Sequence, residues 1–211
     1  MRKTGTTAHA ILGLLALRPS WSTYELSQQL RRNMRFFWPR AESRIYSEAK
    51  VLVERGWATS DVVVVGRRTR TVYKITPAGK EALRAWLSTP PRATALECEP
   101  LLRIFLGDLT DPEAMRGALN QARRDAEAIL GVGRRVSEEY LAGTAPFQDQ
   151  VHLRAFVFDF LSHHALMLQQ WADRTEATLD RWPRLTEEQR TGSALRTIRS
   201  VRSQYPDEDT E

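Results

Sequence analysis

The chain has 211 residues, is 42% hydrophobic and 27% charged, carries a formal net charge of +5 and holds a single cysteine, Cys98. That composition belongs to a folded globular chain. One cysteine excludes an intrachain disulfide framework, and no apolar run reaches the ~18 residues of a membrane span. The opening stretch MRKTGTTAHAILGLLALRPS has a basic start and an apolar run, but the run from Ala8 to Leu17 is short, carries His9 and is followed by no small-residue cleavage site. A cytoplasmic protein is expected rather than a secreted one.

The charge is unevenly placed. Residues 1–90 hold 16 Lys+Arg against 6 Asp+Glu, a balance of +10, and residues 91–211 hold 15 against 20, a balance of −5. An N-terminal module for a polyanion and a C-terminal module with a different task are expected from that asymmetry.

In chain order, Ala8, Ile11, Leu12 and Leu15 follow the i, i+3, i+4, i+7 spacing of one buried helix face, predicting a helix over Thr6–Leu17 that Pro19 ends. Ser22 with Glu25 three residues later is a capping box, so a second helix runs from about Thr23 to Arg32, burying Leu26 and Leu30. The linker NMRFFWPR follows. A third helix is expected from about Arg40 to Glu54, stopped at Gly56. Its apolar face carries Ala41, Ile45, Ala49, Leu52 and Val53. The opposite face carries Arg40, Ser43, Ser47, Lys50 and Glu54, with Arg44 and Tyr46 on the flanks.

The stretch VVVVGRRTRTVYKIT, 62–76, reads as a hairpin: strand 61–65, turn 66–70, strand 71–76. Its turn collects Arg67, Arg68 and Arg70. Thr76-Pro77 reads as the N-cap and first position of a fourth helix reaching Leu87. Three helices, a hairpin and a helix form the order of a winged helix-turn-helix. The polar third helix suits a major groove and the arginine-bearing wing suits phosphates or a minor groove.

After Pro90-Pro91 only long helices are predicted. One covers roughly Glu99 to Gly107. Another starts at Asp111-Pro112 with Met115, Leu119, Ala122, Ala126, Ile129, Gly133, Val136 and Tyr140 on a heptad-like seam. A third runs from about Phe147 to Trp182, with Val151, Phe156, Phe160, Met167, Trp171 and Leu179 as expected buried positions. Two such helices do not bury both stripes alone, so a homodimer through residues 91–182 is expected. The fold class is therefore mainly α with a small β-hairpin: a winged helix-turn-helix DNA-binding domain over 1–90, an α-helical dimerisation and effector domain over 91–182, and a polar tail over 183–211. A weakly patterned last helix, Thr186 to Gln204, lies in that tail.

These features together resemble the PadR family of bacterial transcription regulators. The resemblance rests on ILGLLAL, TYEL, FFWPR, RIY, LVERGW and YKITPAGKEALRAWL, in the family's order and spacing across about 80 residues. LECEPLLRIFLGDL and the long helices after it resemble the helical domain of the larger members. VLVERGW departs conservatively from the family's usual Leu and Gly-Leu, and Thr23 stands where many members have Gly. The resemblance implies a cytoplasmic homodimer that represses promoters and is often released by a small aromatic or drug-like effector.

The candidate double-stranded DNA contacts are Tyr24, Arg40, Ser43, Arg44, Tyr46, Ser47, Lys50, Arg67, Arg68 and Arg70. Arg44 and Lys50 suit guanine edges or phosphate, the tyrosine hydroxyls suit phosphate, and the serines allow close approach. Tyr46, beside the apolar face, also reads as core. Trp86, Phe156, Phe160 and Trp171 are candidates to line an effector pocket, although aromatic stripes at helical spacing are usually core. No cofactor is expected. His163 and His164 are adjacent and point about 100° apart on a helix, which disfavours a shared metal. No phosphate loop or nucleophile motif points to an enzyme. The third helix is close to neutral, since Arg40, Arg44 and Lys50 face Glu42, Glu48 and Glu54. A winged-helix protein-interaction module without specific DNA readout is therefore the alternative.

Overall fold

A computed structural model describes residues 4–39, 44–65 and 68–205, with only the backbone described at positions 65 and 68. The chain divides into two compact units, Met1–Ala95 and Leu96–Glu211. Among the described residues no helix is long and apolar enough to cross a membrane.

The first unit contains α1 (Thr6–Leu17), β1 (Trp21–Ser22), α2 (Thr23–Asn33), α3 (Ile45–Glu54), β2 (Ala58–Val65), β3 (Arg68–Ile75) and α4 (Pro77–Leu87). The part of the third helix expected over 40–43 lies outside the described residues. The stripe Ala8, Ile11, Leu12 and Leu15 is buried on α1, as are Leu26 and Leu30 of α2 and Ile45, Ala49 and Leu52 of α3. Local chemistry sets the helix starts. At α2 the Ser22 backbone N–H donates to Glu25 Oε2 (2.7 Å) and the Glu25 N–H donates back to Ser22 Oγ (3.3 Å), so two otherwise orphaned donors are satisfied.

The hairpin differs from the sequence expectation in three respects. Both strands are longer than expected, pairing antiparallel from Ala58↔Ile75 to Val65↔Arg68, so residues 66 and 67 alone separate them. Arg70 therefore lies in β3 opposite Val63 rather than in a turn. The alternation of Arg68-Thr-Arg-Thr-Val is compatible with a strand, and a run of charged residues hides that from a reading by apolar content. Finally, the sheet has a third strand: Trp21 pairs with Tyr73 and Ser22 with Val72. A two-residue strand has no periodicity to detect. The result is a winged helix-turn-helix with a three-stranded antiparallel sheet.

The base of the wing is tied to the end of α3. Gly56 takes a left-handed conformation (φ 70°) that ends the helix. The Thr76 hydroxyl donates to the Gly56 carbonyl (2.6 Å) and accepts from the Gly79 N–H (3.0 Å), while the Thr76 N–H donates to the Trp57 carbonyl (3.0 Å). Gly79 is buried, and a Cβ there would collide with the Trp57 carbonyl. The first turn of α4 can approach the chain at Trp57 only because position 79 lacks a side chain.

The second unit contains α5 (Glu99–Phe105), α6 (Pro112–Leu141), α7 (Val151–Leu179) and α8 (Glu187–Arg202), with single 3₁₀ turns at Gly107–Leu109, Gln148–Gln150 and Trp182–Arg184. Asp111 caps α6, accepting from the Ala114 N–H at 2.7 Å. Met115, Leu119, Ala122, Ala126 and Ile129 of the α6 seam are buried, and Gly133, Val136 and Tyr140 are half-buried. Their partner is α7 of the same chain. Met115, Leu119 and Ala122 cluster with Ala172 and Leu179, and Ile104, Leu168, Trp171 and Trp182 pack around them. Two ion-pair sets span the helices: Arg116 with Asp180 (2.9 Å), and Arg123 with Asp173 (2.8 Å) and Glu176 (2.6 Å).

The buried positions expected on α7 need correcting. Leu179 is buried and Trp171 half-buried, but Val151, Phe156, Phe160 and Met167 are exposed, Phe156 by 74%. The helix turns its small residues Ala165 and Ala172 to α6. Phe156, Phe160 and Met167 form a second stripe roughly 140° around the helix axis, and Val151 in the first turn lies off it. Periodicity detects both stripes and does not say which one the chain itself covers.

Because the Gly79 contact is steric, Gly79→Ala is expected to destabilise the first unit by about 1–3 kcal/mol, read as a lowered midpoint in urea unfolding followed by tryptophan fluorescence. An unchanged midpoint would show that the α4 junction can relax.

Candidate nucleic-acid interface

The described part of α3 presents two chemically distinct sides. Ile45, Ala49 and Leu52 are buried in the first unit, whereas Arg44, Tyr46, Lys50 and Glu54 stand toward solvent and Ser47 is exposed among them. Tyr46 is 69% exposed, so it is not a core residue of the described chain. The Ser47 hydroxyl donates to the Arg44 carbonyl (3.0 Å), which holds that side chain close to the helix and keeps the surface low. Arg40, Ser43 and Arg67 lie outside the described residues, and for Arg68 only the strand register is described.

The N-terminus of α2 forms a second part of the surface. Tyr24 in its first turn is 69% exposed, and its hydroxyl accepts from Gln28 Nε2 (2.8 Å), which leaves the hydroxyl proton for another acceptor. Glu25, held by Ser22, has its carboxyl below the usual range. The Ser22 hydrogen bonds are the main cause, and Arg70 and Arg18 contribute through their charge. Arg70 of the wing therefore lies close enough to the start of α2 for its field to be felt there. On the same strand Lys74 is paired with Asp61 (2.9 Å), which leaves Arg70 as the more available cation for an external anion. Val62 and Val64 are exposed beside Thr69 and Thr71 of the facing strand. Nothing in the sequence pattern distinguished that β-branched ladder from a buried strand.

The aromatic candidates separate. Trp86 belongs to the first unit, where its ring stacks on the buried His9 at 4.8 Å and 9° between planes, with Trp57 against His9 at 5.8 Å. His9 Nδ1 donates to the Gly5 carbonyl (3.1 Å). This joins α1, α4 and the residue after the α3 stop. It gives Trp86 a packing role that sequence spacing did not reveal. Phe156, Phe160 and Trp171 belong to the second unit, along α7, with Phe160 stacked near His164. His163 Nδ1 donates to the Asp159 carbonyl (2.9 Å). Among the described residues no group of three or more His, Cys, Asp or Glu side chains is placed to hold a metal.

Residues 11–85 match the model of the transcriptional regulator PadR-like family. They form a PadR-like domain. A probable transcriptional regulator of Mycobacterium tuberculosis is 32% identical over 83 residues, 39% of this chain and 43% of that protein. The negative transcriptional regulator PadR of Bacillus subtilis is 32% identical over 80 residues, 37% of this chain and 43% of that protein. The chain thus matches less than half the length of either curated relative.

Among solved structures, Bacillus subtilis PadR in complex with operator DNA superposes with a TM-score of 0.67 at 21% identity, over 83% of this chain and 98% of that one. The same protein in complex with p-coumaric acid gives 0.60 at 23% identity, over 82% and 98%. The Vibrio cholerae virulence activator AphA gives 0.61 at 21%, over 83% and 98%. At these identities the likeness concerns the fold. The PadR-like domain covers every described candidate DNA residue, because α2, α3 and the wing all fall within 11–85.

The His9 stack also carries a pH dependence. Burial holds the imidazole below its ordinary value of 6.5, and the nearby Arg55 charge adds to this against the opposing Gly5 hydrogen bond. The fold favours the neutral ring, so the unfolded chain takes up the proton first. The stabilisation is complete above about pH 6.5 and is lost as pH falls toward the folded value. The melting temperature of the PadR-like domain is expected to drop between about pH 7.5 and about pH 5.5, and His9→Gln should flatten that drop. Parallel curves for both proteins would remove His9 as the cause.

Proposed function

We propose that this protein is a sequence-specific DNA-binding regulator acting as a homodimer, and a repressor released by a small aromatic effector. The observation that carries the proposal is the two-sided α3: a buried apolar side fixes the helix, and an exposed side of Arg44, Tyr46, Ser47 and Lys50 is left facing out, with Tyr24 and Arg70 in the same domain. That set combines donors and acceptors for base edges with groups for phosphate. Arg40, Ser43, Arg67 and Arg68 are assigned to the same surface from the sequence. The solved complex of a relative with operator DNA supports the reading.

The repressor role rests on the negative regulator among the relatives, and the effector on the p-coumaric acid complex. Phe156, Phe160 and Trp171 are the aromatic side chains assigned to such a ligand. The homodimer rests on the exposed Phe156, Phe160 and Met167 stripe of α7, since contiguous apolar patches of that kind mark association surfaces.

The test is fluorescence anisotropy with the protein's own promoter region and a scrambled duplex at two salt concentrations. The promoter is expected to be preferred at the higher salt. Alanine at Arg67, Arg68 and Arg70 together should weaken binding to both duplexes and reduce the salt slope by about 0.9 for each phosphate no longer neutralised. Alanine at Arg44 or Lys50 should change the preference between duplexes by about 1–3 kcal/mol. No binding to either duplex would favour the protein-interaction module instead. Sedimentation of the Phe156→Glu, Phe160→Glu double variant is expected to show monomers where the parent is dimeric.

A further inference from the structure

The last helix, α8, turns its polar side toward its own chain. Leu195, Ile198 and Val201 recur at helical spacing on one stripe, and all three are exposed, Ile198 by 61%. Gly192 and Ser193 lie on the opposite side and are the half-buried residues of the helix. Burial of apolar surface alone favours the reverse arrangement. The inward side of α8 and the last turn of α7 instead enclose a shallow polar cleft of about 630 Å³, a size within the ~300–1,000 Å³ of small-molecule sites.

The cleft collects opposite charges that do not meet. Arg181, just after α7, and Arg196 of α8 line it, and so does Glu188 in the first turn of α8. Among the described residues neither guanidinium is ion-paired with Glu188 or with another carboxylate. Elsewhere in the unit Arg116 and Arg123 each reach a carboxylate across the helices, at 2.9 and 2.8 Å. Arg181 Nε donates to the Ala177 carbonyl (3.1 Å), which holds that side chain along the end of α7. Arg196 Nη1 lies over Gly192, 3.8 Å from where a Cβ would stand, so this guanidinium lies back along α8 on the cleft side. The Thr178 and Ser193 side chains are half-buried between the charges, and the half-buried Leu185 supplies an apolar part.

We propose that this cleft binds a small zwitterion, an α-amino acid with an apolar side chain. The two guanidiniums suit its carboxylate, which an arginine fork takes through paired N–H donors. Glu188 suits its ammonium group, and Leu185 suits its side chain. A plain anion meets repulsion from Glu188, and a plain cation meets repulsion from both arginines. A molecule carrying both charges satisfies all three groups at once. Filling the cleft also gives the inward polar side of α8 the partners that its own chain does not supply. The site is separate from the aromatic side chains assigned above to an effector. None of its residues lies within 11–85, so the inference does not rest on the DNA-binding reading.

The experiment titrates L-leucine into the full-length chain and follows the backbone amide resonances of Gly192 and Ser193 by NMR. Saturable shifts at those amides are expected. Isocaproate, which lacks the amino group, and isopentylamine, which lacks the carboxylate, are expected to bind at least about tenfold more weakly. Arg196→Gln should weaken leucine binding by a similar factor, and Glu188→Gln should leave leucine no better than isocaproate. Both side chains are exposed, so both variants are expected to fold as the parent does. No shift at those amides at any soluble leucine concentration would overturn the proposal. Equal binding of leucine and isocaproate by the parent protein, or unaltered binding by both variants, would overturn it too. Each of these results concerns the second unit and leaves the DNA-binding reading standing.

Discussion

Two antiparallel helices can bury only the seam they share. In the second unit that seam mixes small and large side chains: Ala122 and Ala126 on α6 and Ala165 and Ala172 on α7 are buried together with Met115, Leu119, Ile129 and Leu179, and it is closely packed. Arg123, reaching both Asp173 and Glu176 across the seam, fixes the register of the pair. Phe158 reaches Gly133 of the seam, whereas Phe156 and Phe160 lie outside it. Burying one of them is worth about 1.5–3 kcal/mol, so a stripe holding Phe156, Phe160 and Met167 is a substantial surface left for a second helix to cover. The architecture of the second unit thus creates the demand that the proposed dimer meets.

The first unit meets its own burial requirement within the chain. Three helices and a three-stranded sheet enclose Ile11, Leu12, Trp21, Leu26, Ile45 and Leu52. The Gly56, Thr76 and Gly79 junction joins the end of α3 to both the wing and α4. The exposed side of α3 and the charged strand of the wing are consequently held in one relative position. Rigid presentation of that kind lets a few polar side chains act together on a ligand, because the ordering cost is met during folding rather than at binding.

Much of this is legible in the sequence where local chemistry dictates structure. The capping box at Ser22 and Glu25, the Thr76-Pro77 helix start, the Gly56 stop and the Asp111-Pro112 start each depend on neighbours within a few residues, and each is found as expected. What escapes is set by distant partners. The short strand Trp21–Ser22 exists because Tyr73 and Val72 lie beside it, and the choice of inward stripe on α7 depends on what α6 can accommodate. Trp86 reads as a ligand residue, while its stacking on His9 arises from the packing of α1 against α4, which spacing along one helix does not encode. Tyr46, readable either as core or as surface, is decided by the position of its helix in the unit.

The electrostatics then divide the proposed task between elements. Among the described residues of α3, Arg44 and Lys50 are balanced by Glu48 and Glu54, so this helix offers little general attraction for a polyanion and is better suited to reading base edges by hydrogen bonds. The attraction has to come from the wing and from the start of α2, where Arg70 and Tyr24 lie. Phosphate contacts position a protein while base contacts specify its site, so on the proposed reading affinity and specificity reside in different elements of the same domain. A single nearly neutral helix reads only a few base pairs. Two copies on two half-sites combine their preferences, and a half-site spacing near one helical turn fits a dimer of such domains. On the proposed reading, the exposed helices of the second unit and the near-neutral helix of the first are two sides of one requirement: a reader this weak alone would need the dimer proposed for the helical unit.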